Sequence, residues 1–206
     1  MGNADFKRKA RGLAGPLVAA LDRAGFTPLA ISIIGLAITA VSGVVIGQGR
    51  LRAGAAVFLL GSAFDMLDGD LARRQGTVSR RGAFLDSCFD RLGEAFLFAG
   101  LTWYFSAADP GADRTALLLI TLTVVGSLTT SYVRARAEGV GETCLVGWVQ
   151  RTERVVLLTL GLLIGRVALV PVLWFLAVAT LATTTQRLVH VAAKLPGPAR
   201  QGKEQP

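Results

Sequence analysis

The run Leu29–Gln48 constrains this chain most. It is apolar almost throughout, opens on Thr27-Pro28, and is long enough to cross the hydrocarbon of a bilayer, which takes about 20 residues of helix. Comparable segments follow at about Ala53–Arg74, Arg81–Phe105 and Thr115–Ala137. A shorter apolar run covers Val155–Gly165, and a last segment covers about Val172–Ala193. With 52% hydrophobic residues and a mean hydropathy of +0.52, the chain is too apolar for an ordinary soluble domain. The expectation is an all-α integral membrane protein with six transmembrane helices preceded by an amphipathic juxtamembrane helix.

That first helix falls in Met1–Gly25, where Lys7, Arg8, Lys9, Arg11 and Arg23 alternate with Phe6, Leu13, Leu17, Val18 and Leu21, the pattern of a helix lying on an anionic leaflet. Residues 26–194 then read as a single six-helix transmembrane domain, and 195–206 as a disordered tail. Asp109-Pro110-Gly111 marks a turn, Gly139–Gln150 a loop, and Arg166–Pro171 a second turn. Six spans put both termini on one side. That side collects most of the arginines and lysines, so it faces the cytoplasm of the inner membrane. Trp103, Tyr104 and Trp174 fall at the opposite interface. The net charge of +8 is satisfied by membrane lipids, and no nucleic-acid module is visible. Cys88 and Cys144 form no disulfide or zinc pattern.

Inside this apolar setting sit four carboxylates. Asp65, Asp68, Gly69 and Ala72 fall at i, i+3, i+4 and i+7; Gly82, Asp86, Asp90 and Gly93 fall at i, i+4, i+8 and i+11. Each set is one stripe of a helix. Charge in such a place is costly unless compensated, and hard oxygen ligands without His or Cys favour magnesium, manganese or calcium over zinc. Arg134, Arg151, Arg154 and Arg187 lie at helix ends at the same depth, where guanidinium groups suit phosphate. Metal-holding carboxylates beside arginines suggest phosphoryl transfer at the membrane surface.

The run Asp65-x2-Asp68-Gly69-x2-Ala72-Arg73-x8-Gly82-x3-Asp86-x3-Asp90 closely resembles the signature of the CDP-alcohol phosphotransferases, integral membrane enzymes of phospholipid synthesis. The resemblance implies that Asp65, Asp68, Asp86 and Asp90 hold a pair of divalent cations, Mg2+ or Mn2+. It implies that Asp68, Gly69, Ala72, Arg73 and Gly82 bind the CDP-lipid, that Asp90 is the general base, and that the enzyme is a homodimer. Ser131–Glu138 with Gln150–Arg154 resembles the branch making phosphatidylinositol phosphate or archaetidylinositol phosphate. In that branch the donor is CDP-diacylglycerol or a related CDP-lipid and the acceptor is inositol 1-phosphate, with Arg134, Arg151, Arg154 and Arg187 as candidate phosphate contacts. Glycerol 3-phosphate is the runner-up acceptor. Two readings of other kinds are a cation transporter with an intramembrane carboxylate site and a soluble prenyl-diphosphate enzyme reading Asp65, Asp68 and Asp70 as a magnesium motif. The one-sided acidic cluster opposes the first, and the membrane-length apolar runs oppose the second.

Overall fold

The computed structural model describes residues 15–107 and 113–195, all helix and short connections. The helices are α1 (15–23), α2 (Pro28–Gly47), α3 (Leu51–Arg74), α4 (Arg80–Ser106), α5 (Arg114–Gly139), α6 (Arg151–Ile164) and α7 (Arg166–Lys194). The basic stretch before residue 15, the Asp109-Pro110-Gly111 turn and the tail after Leu195 lie outside the described residues.

Local chemistry explains where the helices begin. The Thr27 hydroxyl accepts from the Ala30 amide at 3.2 Å and Pro28 takes the first helical position of α2. Ser79 does the same for α4, accepting from the Gly82 amide at 3.1 Å. The end of α3 is fixed by Gly76 at φ +65, where the Gly76 amide donates to Arg73 and the Thr77 amide to Ala72, a Schellman closure that needs a left-handed residue. That sharp stop turns the chain directly into α4 and brings the two acidic stripes side by side.

α2 packs on both α3 and α4, α5 packs on α7, α6 packs on α7, and the two groups join through α3 with α6 and α4 with α5. A continuous core containing Leu97, Phe98, Leu101, Phe105, Leu119, Leu158, Leu162, Leu169 and Leu173 runs between them. The closest approach is at α2 and α4: a methyl group added to Gly100 would lie 2.1 Å from the Gly43 carbonyl oxygen, so the backbones touch there. Gly35 faces α3 and Gly126 faces Thr180 of α7 in the same way. These glycines mark close helix contacts within one chain.

The outward faces are apolar. Leu60, Val125, Leu128, Trp174, Phe175 and Val178 are all exposed, as hydrocarbon requires and water does not tolerate. α2, α5 and α7 are long and apolar enough to cross a membrane. α3 and α4 carry the charged stripes, and α6 has only 14 residues. The chain is thus an all-helical membrane protein.

One expectation is corrected. Arg166–Pro171 is not a turn: Gly165, at φ +108, makes the reversal alone, and α7 starts at Arg166 with Pro171 inside its second turn. The proline ring keeps a helical φ and forfeits one backbone bond, which near a helix start is tolerable. Arg166 also donates to Asp113 at 3.0 Å, and the Asp113 carboxylate caps α5 through the Ala116 amide. That amide and the Arg166 guanidinium hold the Asp113 carboxyl below the usual carboxylate range.

α1 is not a loose appendage over the described residues. Val18 is buried with Ile31 of α2 and Leu67 and Leu71 of α3. Beside this contact, Gln75 donates to Asp22 at 3.0 Å and Arg74 donates to it at 2.9 Å, and these partners hold the Asp22 carboxyl below its ordinary value of 3.8. Cys144 packs with Ala137 and Val191, and Cys88 is half-buried; both are free thiols. His190 is also half-buried.

Candidate active site

The end of α3 meets the start of α4, and there Asp65, Asp68 and Asp86 each present a carboxylate oxygen, all within 4.8 Å of one another. Asp68 is buried, Asp65 half-buried and Asp86 exposed. The Ser32 hydroxyl of α2 donates to Asp68, fixing one oxygen and leaving the other available. Three converging carboxylates without a nitrogen or sulfur ligand fit a hard divalent cation. Nothing else among the described residues makes so dense a group of acids.

Asp90, one turn further along α4, is turned to a different partner. Arg151, the first residue of α6, lies 2.7 Å from Asp90 and 2.5 Å from Asp65, tying α6 to both acidic helices. Arg91 approaches Asp90 at 3.6 Å. The expected four-carboxylate set is therefore three clustered aspartates plus an Asp90 that shares Arg151 with Asp65.

Two spaces adjoin the cluster. An open groove of about 690 Å³ runs between the start of α2, the end of α3 and the start of α4, and its walls include Asp68, Gly69, Ala72, Arg73, Gly82 and Asp86. All five positions expected to bind the CDP-lipid thus border one groove, and the glycines leave it open. Asp70, off the stripe, pairs with Arg73. On the other side a small, partly open cavity of about 30 Å³ has Asp65, Asp90, Glu94, Arg151 and Arg154 in its lining. Ser32 and Asp65 belong to both walls.

The four candidate phosphate arginines separate. Arg151 and Arg154 line the cavity. Arg187 is buried and donates to the backbone carbonyls of Val146 at 2.8 Å and Thr130 at 2.9 Å, so it anchors the 140–150 loop to α5. Arg134 is exposed and paired with Glu138 at 2.9 Å on its own helix.

Sequence reasoning passed over Ser32 and Glu94. Glu94 pairs with Arg154 and accepts from Ser127 of α5 at 2.7 Å. A signal existed: Glu94 continues the spacing of Gly82, Asp86 and Asp90 by a further four residues and is an acid within an apolar helix.

The sequence model of the CDP-alcohol phosphatidyltransferase family matches residues 25–186, which contain the acidic cluster and the residues named above as lining the groove and the cavity. The chain belongs to that family. Relatives of this transferase include the phosphatidylinositol phosphate synthase of Mycobacteroides abscessus, 38% identical over 189 residues, covering 88% of this chain and 84% of the relative. That of Mycolicibacterium smegmatis is 38% identical over 194 residues, 90% and 86% of the two chains. Among solved structures, the phosphatidylinositol phosphate synthase of Mycobacterium tuberculosis with CDP-DAG bound is similar, with a TM-score of 0.82, 33% identity and coverage of 91% of this chain and 97% of that one. The same enzyme in complex with manganese and citrate also gives a TM-score of 0.82, at 34% identity over 91% and 92%. As a CDP-alcohol phosphatidyltransferase, the protein is an enzyme of phospholipid synthesis that uses a CDP-linked donor and an alcohol acceptor. A transporter or a soluble prenyl enzyme is set aside by the same match.

Proposed function

We propose that this transferase is a phosphatidylinositol phosphate synthase, moving the phosphatidyl group of CDP-diacylglycerol to inositol 1-phosphate and releasing CMP. The observation that carries this reading is the cavity in which Arg151 and Arg154 stand next to Asp65 and Asp90, directly behind the acidic cluster. A phosphorylated acceptor suits two guanidinium groups; a neutral alcohol does not need them. The relatives named above and the bound CDP-DAG and manganese of the M. tuberculosis structures support the same reading.

In this scheme Asp65, Asp68, Asp86 and Asp90 hold two divalent cations, Mg2+ or Mn2+. When bound, the cations stabilise negative charge on the diphosphate and on departing CMP. Gly69, Ala72, Arg73 and Gly82 cradle the nucleotide in the groove, where small residues allow a close approach. Asp90 takes the proton of the acceptor hydroxyl as its oxygen attacks the β-phosphorus; the new oxygen–phosphorus bond forms as the bond to CMP breaks. Arg151 and Arg154 hold the acceptor phosphate, Arg134 adds positive charge near the end of α5, and Arg187 contributes by fixing the loop before α6.

The protein works as a homodimer in the cytoplasmic membrane. All six helices α2–α7 span, both termini and the site face the cytoplasm, and α1 lies along that surface as a juxtamembrane segment ahead of the catalytic domain.

The test is CMP release by the purified protein in detergent with CDP-diacylglycerol and Mg2+ or Mn2+, offering inositol 1-phosphate, free inositol, glycerol 3-phosphate or serine, with Asp90→Asn as control. Release with inositol 1-phosphate that the variant abolishes supports the assignment. Release with glycerol 3-phosphate alone would replace the acceptor and keep the chemistry.

A further inference from the structure

Behind the aspartate cluster, α4 and α6 are joined by two rungs of charge. The outer rung is Asp90 with Arg151. The inner rung, one turn deeper on both helices, is Glu94 with Arg154: Nε lies 3.0 Å from Oε1, and Nη2 donates to Oε2 at 3.4 Å. The Nε contact is one of charge, since its hydrogen is not aimed at the carboxylate. Both side chains are largely buried, 7% exposed for Arg154 and 17% for Glu94. Ser127 of α5 donates to the same Oε2 at 2.7 Å, so Glu94 is held from a third helix.

Two consequences follow from the chemistry. A buried guanidinium seeks a carboxylate, and the acids sharing this cavity with Arg154 are Asp65, Asp90 and Glu94. Glu94 therefore keeps Arg154 off the two aspartates that the reaction needs. Further, Glu94 is the sole acceptor of Arg154 N–H groups among the described residues and engages only one of them by hydrogen bond, so the guanidinium retains donors for an anion.

We infer that Glu94 is a positioning residue for the acceptor site: held by Ser127, it orients Arg154 and reserves Asp65 and Asp90 for chemistry, and so sets the affinity for the phosphate of the acceptor. The inference rests on the phosphorylated-acceptor reading above. Glu94 touches no substrate in this scheme and acts through Arg154.

The experiment compares Glu94→Gln, Glu94→Asp and Ser127→Ala with the unaltered enzyme in steady-state CMP release, varying inositol 1-phosphate and CDP-diacylglycerol separately. Glu94→Gln retains the shape and removes the charge, freeing Arg154 to turn to Asp90. The acceptor KM is expected to rise about tenfold or more while the donor KM stays within about twofold, a split that uniform damage to the fold would not give. Ser127→Ala moves the acceptor KM in the same direction by a smaller factor, and Glu94→Asp, which keeps the charge, recovers part of the loss. Should Glu94→Gln fail to fold, Ser127→Ala and Glu94→Asp carry the test by the same split. Unchanged acceptor KM, or donor and acceptor KM rising together, overturns the inference. An unaltered enzyme inactive with inositol 1-phosphate would overturn the acceptor assignment first and leave Glu94 nothing to position, whereas an active one with unaffected variants sinks this inference alone.

Discussion

Arg151, the first residue of α6, lies 2.7 Å from Asp90 of α4 and 2.5 Å from Asp65 of α3. One side chain thus links the proposed base, the carboxylate cluster and the helix that carries the inner arginine. Arg151→Ala is expected to lower kcat/KM for the acceptor by about tenfold or more, since Asp65 and Asp90 both lose their half-exposed cationic partner and the pocket loses a guanidinium. Arg151→Lys keeps the charge without the planar fork and should restore only part. Initial rates of CMP release decide the matter; an alanine variant with normal acceptor kinetics would remove Arg151 from the pocket.

Metal dependence follows from Asp65, Asp68 and Asp86. Chelation should abolish CMP release, with Mg2+ or Mn2+ restoring it. Asp68→Asn and Asp86→Asn should each weaken Mn2+ binding measured directly by electron paramagnetic resonance by roughly tenfold or more, because a carboxylate ligand is lost. Ser32→Ala, which removes only the hydroxyl on Asp68, should have a milder effect in the same assay. Undiminished Mn2+ binding in both aspartate variants would exclude the cluster as the metal site.

Gly100→Ala probes the α2–α4 contact. The added methyl would meet the Gly43 carbonyl at 2.1 Å, and backbone cannot yield as a flexible side chain can. The cost of overpacking is about 1–3 kcal/mol. Thermal unfolding in detergent should show a Tm lowered by several degrees, about 2–4 °C per kcal/mol for a chain of this size. At Gly15, where a Cβ would touch nothing within 4 Å, the same substitution should leave Tm in place.

The α1 clasp has a defined response to pH. Gln75 and Arg74 keep the Asp22 carboxyl below 3.8, so its contribution is complete above the unfolded value and is lost as pH falls through the lower folded value. Distances between spin labels on α1 and the end of α3 should therefore be constant from pH 5 to 8 and lengthen only in strong acid. Asp22→Asn should loosen the contact at every pH. A transition near neutrality would show that another group governs it.

How far the sequence carried these conclusions depended on range. Thr27-Pro28 and the acidic stripes announce themselves over three to eight residues, and helix geometry then dictates that Asp65 and Asp68, or Asp86 and Asp90, share a face. The Arg166–Pro171 segment misled because Pro171 is a strong local breaker, whereas a single left-handed glycine, Gly165, had already reversed the chain. The arginines were legible as a group and not individually: charge at a helix end is local, but whether Arg134 meets Glu138 or Arg154 meets Glu94 depends on helix rotation and on which acid lies across the interface. Glu94 was overlooked for the related reason that its meaning lies in partners on α5 and α6.

α6 has 14 residues, about 21 Å of helix, against a hydrocarbon thickness of about 30 Å. Its far end is fixed where Gly165 hands over to α7, beside the Arg166–Asp113 pair. In the proposed six-span topology, with Gly165 at one interface, so short a helix leaves Arg151 at its other end below the headgroup plane, and with it Asp90 and Asp65. The proposed topology thus sinks the proposed site into the leaflet, where the lipid donor can react without leaving its own layer. It is the water-soluble partner that makes the descent.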